Sequence, residues 1–331
     1  FQVLLLWKGS VWKLICTEMI VWYTLVIVVL LLDRFIISKT PHAQDYHNFL
    51  KWLGECCPSF IETLPFLLGF TTAFCYERWF AIFNCLDWPN SAAHLLNTFM
   101  RRHKMSRKRE SKLRATFARH LRLAYILIFR DISMSTRRQV PTLDAMLDAE
   151  LITQKELIML KEGGRLSEDA CRYWIPLQWI VVRIREMRAA DKRNSLMSDF
   201  ESLEFFDEIA KLRGNLGDLL SYDWVPMPIA FMQIITAAVY ATMMITVFSI
   251  QCDVVNDESE IDFNKFLWTK FIKLFELLLY TGWMKSVHVI INPFGEDDDD
   301  FEMDWLLDHH NQVLNALLLH PDSGHHSAPP K

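Results

Sequence analysis

The chain has 331 residues, 51% hydrophobic and 13% aromatic, with a formal net charge of −5. That length could hold two water-soluble domains, but the apolar residues gather in four blocks with charge filling the space between them. The seven cysteines show no Cys-x-x-Cys pair and no zinc spacing, which speaks against a zinc or thiol-redox protein.

In chain order, residues 1–10 read as a short N-terminal segment. The chain starts at Phe1 without Met, so further residues are expected upstream, and no cleavable secretory signal is recognisable. The first apolar block runs from Val11 to Leu32 and the second from Phe60 to Phe83; residues 11–83 are expected to form the first two membrane helices. The third block, Val225 to Ile250, carries no charge, and the fourth, Phe263 to Ile291, is interrupted by Lys265, Lys270, Lys273, Glu276 and Lys285. Each is near or above the ~20 residues a helix needs to cross a bilayer. Charges inside a membrane rarely face lipid, so the fourth helix is expected to face the protein or an aqueous path. Residues 223–291 hold this second pair of membrane helices.

Between the pairs, residues 84–222 carry about two dozen Lys and Arg, whereas the loops near 33–59 and 251–262 carry few. The positive-inside rule then puts this middle region and both termini in the cytosol. Cys56, Cys57 and Cys252 fall on the outer side, where a disulfide is chemically possible. The basic run of residues 101–109 has no interleaved aromatic platform and reads as a topology-fixing flank, not a nucleic-acid site. The middle region is helical by its spacing. Leu113 to Ile128 forms one helix, and Thr142 to Leu160 forms two short ones, the second capped by Thr153 with Glu156 completing a capping box. Ser195 to Leu220 forms an amphipathic helix.

Two stretches carry candidate chemistry. In Leu64-Pro65-Phe66-Leu67-Leu68-Gly69-Phe70-Thr71-Thr72-Ala73-Phe74, the aromatics recur every four residues and stripe one helix face. Helix–helix packing accounts for such a stripe; so does a ring of aromatics in an oligomer, forming a hydrophobic constriction that gates by dewetting. The run Glu296-Asp297-Asp298-Asp299-Asp300 follows the turn-forming Asn292-Pro293-Phe294-Gly295 and offers hard oxygen ligands of the kind Ca²⁺ takes, about 6–8 at a time. A solvated acidic segment is the plainer reading, although apolar Phe301, Met303, Trp305, Leu306 and Leu307 follow at once. The spacing is not that of an EF-hand. Residues 292–320 are therefore read as an acidic clasp with a C-terminal helix, and 321–331 as a disorder-prone tail. No Gly-x-Ser-x-Gly, His-Glu-x-x-His or phosphate loop supports an enzyme. Adjacent His309-His310 and His325-His326 point apart on a helix and make poor metal pairs.

Taken together, several motifs resemble the bestrophins, a family of calcium-activated anion channels. They are Trp7-Lys8-Gly9-Ser10, Leu68-Gly69-Phe70, Arg78-Trp79, Trp88-Pro89, Trp174-Ile175-Pro176 with Trp179, Tyr222-Asp223-Trp224, Gly282-Trp283, and the run from Ile291 to Glu302. The resemblance implies an all-α membrane protein, four membrane helices per subunit with a large helical cytosolic region, and a homopentamer with one central pore in the cell membrane. It implies passive chloride conduction gated by cytosolic Ca²⁺. The alternative is a non-conducting, calcium-binding scaffold or regulatory subunit. By the same resemblance the pore neck carries over to Phe66 and Phe70, with the first ring at Leu64 if two residues are deleted, or at Glu62 if the register is ungapped. A cytosolic aperture carries over to Phe200. Calcium ligands carry over to the Asp297 and Asp300 carboxylates and to backbone carbonyls at Val289 and Asn292, with one more carbonyl from the segment before Trp7. The implied partners are further copies of the chain, the lipid bilayer and anions, and not nucleic acid.

Overall fold

The computed structural model describes residues 5–56, 58–100, 106–162, 170–190, 197–252 and 263–319. Among the described residues every regular element is helical, and the chain divides into two compact units. The first comprises residues up to Phe80, Met227–Pro293 and Asp297–Asp300; the second comprises Ala81–Pro226, Phe294–Glu296 and the residues from Phe301 onward.

The first unit is built from long apolar helices. Helix α1 spans Val11–Phe35, α2 Ala43–Cys56, α3 Pro58–Cys85 (entering the second unit after Phe80), α11 Ile229–Cys252 and α12 Phe263–Ile291. Ser10 starts α1 by accepting a hydrogen bond from the Lys13 amide on its side chain (3.3 Å), satisfying one of the orphan donors of a helix start. Ile15, Met19, Leu64, Leu68, Ile235, Val239, Met243, Leu277 and Met284 form its core. Outside it, Ile20, Val21, Ile27, Val28, Leu31 and Leu32 leave an apolar face of α1 uncovered, as a lipid-facing helix requires. Among the described residues, three helical stretches are long and apolar enough to cross a membrane: Val11–Lys39, Ile229–Ile250 and Lys270–Ile291. The expected second span, α3, has the length but is not among them; Glu77 and Arg78 cut its apolar run.

Of the charges of the fourth block, Lys285 faces protein. Lys285 Nζ pairs with Glu18 Oε1 at 2.5 Å, and the Tyr240 hydroxyl donates to the same oxygen at 3.4 Å. At Gly282 an added Cβ would lie 2.8 Å from Val11 Cγ2, so the missing side chain lets α12 approach α1 closely.

The second unit is organised around α5 (Arg107–Ile132), whose residues Leu121 and Leu123–Phe129 are all buried. Around it lie α4 (Asn90–Phe99), α6 (Met134–Gln139), α7 (Leu143–Asp148), α8 (Gln154–Glu162), α9 (Trp174–Ala190), α10 (Asp199–Trp224) and α13 (Met303–Leu314). Helices α7 and α8 are the expected short pair. The capping box also forms: the Thr153 amide donates to Glu156 Oε2 at 2.8 Å, and the Glu156 amide donates to Thr153 Oγ1 at 3.4 Å. Glu156 additionally accepts from Arg119 (2.7 Å) and meets His120 Nε2 (2.9 Å). Burial opposes its ionisation, but the bonds from His120 and Thr153 and the Arg119 charge bring its carboxyl down to about 2. Cys56, Cys57 and Cys252, between which a disulfide is chemically possible, lie outside the described side chains, as do the expected tail and His325-His326.

Candidate functional site

The 3.6-residue period divides α3 sharply into two faces. Leu64, Leu68, Thr71 and Cys75 are 0–2% exposed. Phe66, Phe70 and Phe74 are 77%, 59% and 47% exposed and form one stripe. Glu62 is exposed and lies four residues before Phe66, in line with that stripe, whereas Leu64 belongs to the buried face. The helix is held to its neighbour by Trp283 of α12, whose indole Nε1–H donates to Thr72 Oγ1 at 2.7 Å. Pro65 sits inside the helix, where its missing N–H weakens the backbone ladder beside the stripe.

At the C-terminal end of α12 the chain leaves the helix at Asn292 and turns through the acidic run. Within the first unit Asp297–Asp300 close a tight turn: the Asp300 amide donates to the Asp297 carbonyl at 3.1 Å, and the Asp297 amide donates to Asp300 Oδ2 at 2.7 Å. Asp298 faces the start of α1 instead. Its Oδ2 accepts from Lys13 Nζ at 2.5 Å and from the Gly9 amide at 3.3 Å, and those two bonds, with the Lys13 charge, hold its carboxyl below the usual range. Gly9 has φ +66°, the left-handed conformation that Gly adopts freely, and an added Cβ there would lie 2.5 Å from Asp299 Oδ1. Burial raises the Asp300 carboxyl above its ordinary value, the Asp297 amide lowers it in part, and the Asp297 and Asp299 charges raise it again. Negative charge is thus crowded here. Val289 is half-buried in the last turn of α12 and Asn292 is exposed just beyond it.

Sequence reasoning singled out Gly9 as part of a motif but missed Lys13, whose partner lies 285 residues away. Among the described residues no three His, Cys, Asp or Glu side chains converge as a closed metal site. Phe200 is 79% exposed in the first turn of α10, which Ser198 and Glu201 cap. His310 is buried against Trp88 and Tyr125, and burial brings its imidazole down to about 4; it is a core residue.

Long apolar helices with uncovered apolar faces, together with a second, helical unit, define an all-α membrane protein. Comparison with known proteins gives its family. The family model described as "Bestrophin, RFP-TM, chloride channel" matches residues 1–319. Bestrophin homolog 22 of Caenorhabditis elegans is 32% identical over 98% of this chain and 63% of its own length. Bestrophin-3 of Homo sapiens is 30% identical over 99% of this chain and 47% of its own length. A solved bacterial bestrophin homolog from Klebsiella pneumoniae shares the fold with a TM-score of 0.67 at 15% identity, covering 92% of this chain and 98% of that one. The chain belongs to the bestrophin family. It spans about half to three-quarters of the length of these curated relatives, 63% of Bestrophin homolog 22 and 50% of Bestrophin homolog 24 among them.

Proposed function

We propose that the chain is the channel-forming part of a homopentameric, calcium-activated chloride channel of the cell membrane, with four spans per subunit and both termini cytosolic. Chloride passes down its gradient through a neck lined by α3, and the protein carries out no catalysis. The observation that carries this reading is the exposed stripe of Phe66, Phe70 and Phe74 opposite a face buried to within 2%. Intrachain packing leaves Phe66 and Phe70 mostly uncovered, while Phe74 is half-covered and meets Phe231 edge-on at 6.1 Å. A stripe of that kind is suited to line a narrow axial passage, where water between apolar rings is unstable and dewetting closes the path. Aromatic ring edges carry partial positive charge, so they oppose anions less than an aliphatic lining does. For the first ring, the position in line with the stripe is Glu62, not Leu64. Phe200, exposed at the capped start of α10, is the proposed cytosolic aperture.

The acidic turn fits a hard divalent cation. Its donors are carboxylate and carbonyl oxygens, and a bound cation offsets the burial, and after it the Asp297 and Asp299 charges, that raise the Asp300 carboxyl. Asp297 and Asp300 would hold Ca²⁺ with the Val289 and Asn292 carbonyls, a set that needs no cluster of three acidic side chains. Bound Ca²⁺ supplies positive charge that steadies the turn beside the end of α12. It biases the neck only in so far as it binds the open arrangement more tightly than the closed one.

The test is anion current from the purified protein in a planar bilayer, with and without micromolar free Ca²⁺. Calcium-dependent current that loses its calcium sensitivity in Asp300→Ala is expected; current with unaltered calcium sensitivity in that variant rejects the clasp. A second reading, a non-conducting calcium-binding scaffold, is favoured by one observation: a Glu62 carboxylate repeated around a ring opposes chloride. Complete absence of current in wild type, with current appearing in Glu62→Gln, would establish that second reading.

A further inference from the structure

The second unit contains a cavity of about 410 Å³ that the channel reading does not use. Three guanidinium groups line it, from Arg130 in α5, Arg137 in α6 and Arg172 just before α9. Two carboxylates face the same space, Asp131 of α5 and Asp223 of α10, together with the Cys171 thiol. With both carboxylates ionised the lining is positive by one charge.

Two of the guanidiniums are held in place by backbone carbonyls. Arg137 donates from Nε to the Arg130 carbonyl (3.1 Å) and from Nη2 to the Asp131 carbonyl (2.6 Å). Arg172 donates from Nε to the Leu160 carbonyl (3.0 Å) and from Nη1 to the Ala170 carbonyl (2.8 Å). A planar cation fixed in this way is prepared to recognise an oxyanion, because little side-chain freedom remains to be lost on binding.

We propose that this cavity is a binding site for a small free oxyanion of the sulfate or phosphate class, held by Arg130, Arg137 and Arg172. Three arginines on one lining exceed what two carboxylates neutralise, and the volume falls in the ~300–1,000 Å³ range of small-molecule sites. The carboxylates make the site pH-sensitive. Burial raises Asp131 above the ordinary carboxylate value, against the Cys171 hydrogen bond and the charges of Arg130, Arg137 and Arg172. Burial raises Asp223 too, with Arg137 lowering it and Asp131 raising it. An arriving anion raises both further, so its binding takes up protons and tightens as pH falls. The Cys171 thiol, pushed up to about 12 chiefly by burial, stays protonated throughout and contributes no pH dependence. This inference stands apart from the channel reading, since neither α3 nor the acidic turn enters it.

The probe is sodium sulfate, which does not change charge between about pH 8 and 5.5, titrated by calorimetry into the full chain in lipid-free detergent. Saturable binding is expected, about threefold or more tighter at the acid end. Arg137→Gln should weaken it by roughly tenfold or more. The double variant Asp131→Asn with Asp223→Asn should keep the binding and lose most of its pH dependence. Arg137 is exposed, so its replacement leaves the core intact, and thermal unfolding of each variant verifies folding. No heat at millimolar sulfate with folded protein overturns the proposal. Binding that Arg137→Gln and Arg130→Gln both leave unchanged does so as well.

Discussion

Gly9 carries a conformational demand that no other residue type meets at the same cost. Its φ of +66° costs an L-residue roughly 1–2 kcal/mol, and a methyl group there would press on Asp299 Oδ1. Gly9→Ala is therefore expected to disturb the turn that also offers Asp297 and Asp300. Under the proposed clasp, the calcium concentration for half-maximal current should rise by roughly tenfold, while single-channel conductance stays the same. An unchanged calcium dependence would separate Gly9 from the clasp. Glu156 makes a different residue-scale statement. Its carboxyl lies below its unfolded value, so the stability it supplies is complete above about pH 4.5 and is lost as pH falls toward about 2. Glu156→Gln should lower stability at neutral pH by about 2 kcal/mol and flatten the acid limb of the thermal midpoint below pH 4.5. A variant that melts like wild type at neutral pH would remove Glu156 from the stabilising network. The Thr153–Glu156 box was legible because both partners lie within one helical turn. The Lys13–Asp298 pair was not, because nothing local announces a bond between residues 285 positions apart.

The long helices were legible as elements for a simple reason. Each needs an unbroken apolar length, and α1, α3, α11 and α12 fall on the four apolar blocks, while α5 and α10 follow the helical spacing of the middle region. What stayed hidden was the orientation of α3. Leu64, Leu68, Phe66 and Phe70 are all apolar, so the hydrophobic pattern offers no contrast between a buried face and an exposed one. Only packing against neighbouring helices separates them, with Leu64 and Leu68 inside and the rings outside. That separation gives the helix its own prediction. Leu64→Ala should destabilise the fold by about 2–5 kcal/mol, as truncation of a buried leucine does, with little change in ion selectivity. Glu62→Gln should leave stability alone and raise chloride conductance by removing a negative ring. The opposite assignment, selectivity moving with Leu64 and not with Glu62, would restore the gapped register. The arginine cavity was equally hidden, since its lining comes from α5, α6, α7, α10 and the segment before α9, and no short motif joins them.

At the scale of the molecule, the turn proposed to bind calcium and the aromatic stripe proposed to line the passage lie on the same membrane-helix unit. Trp283 of α12 binds Thr72 on the helix that bears the stripe, and the acidic turn continues directly from the end of α12. Helix α12 thus binds the stripe-bearing helix and leads through residues 292–296 to the turn, which is the route by which charge neutralisation at the turn is proposed to bias the passage. The direct test is to record the Phe66→Ala, Phe70→Ala double variant in a planar bilayer with calcium chelated. A wet, permanently conducting passage is the predicted result, with anion current independent of calcium. A double variant that still needs calcium to conduct, with the wild-type dose dependence, would contradict the assignment of the gate to these rings.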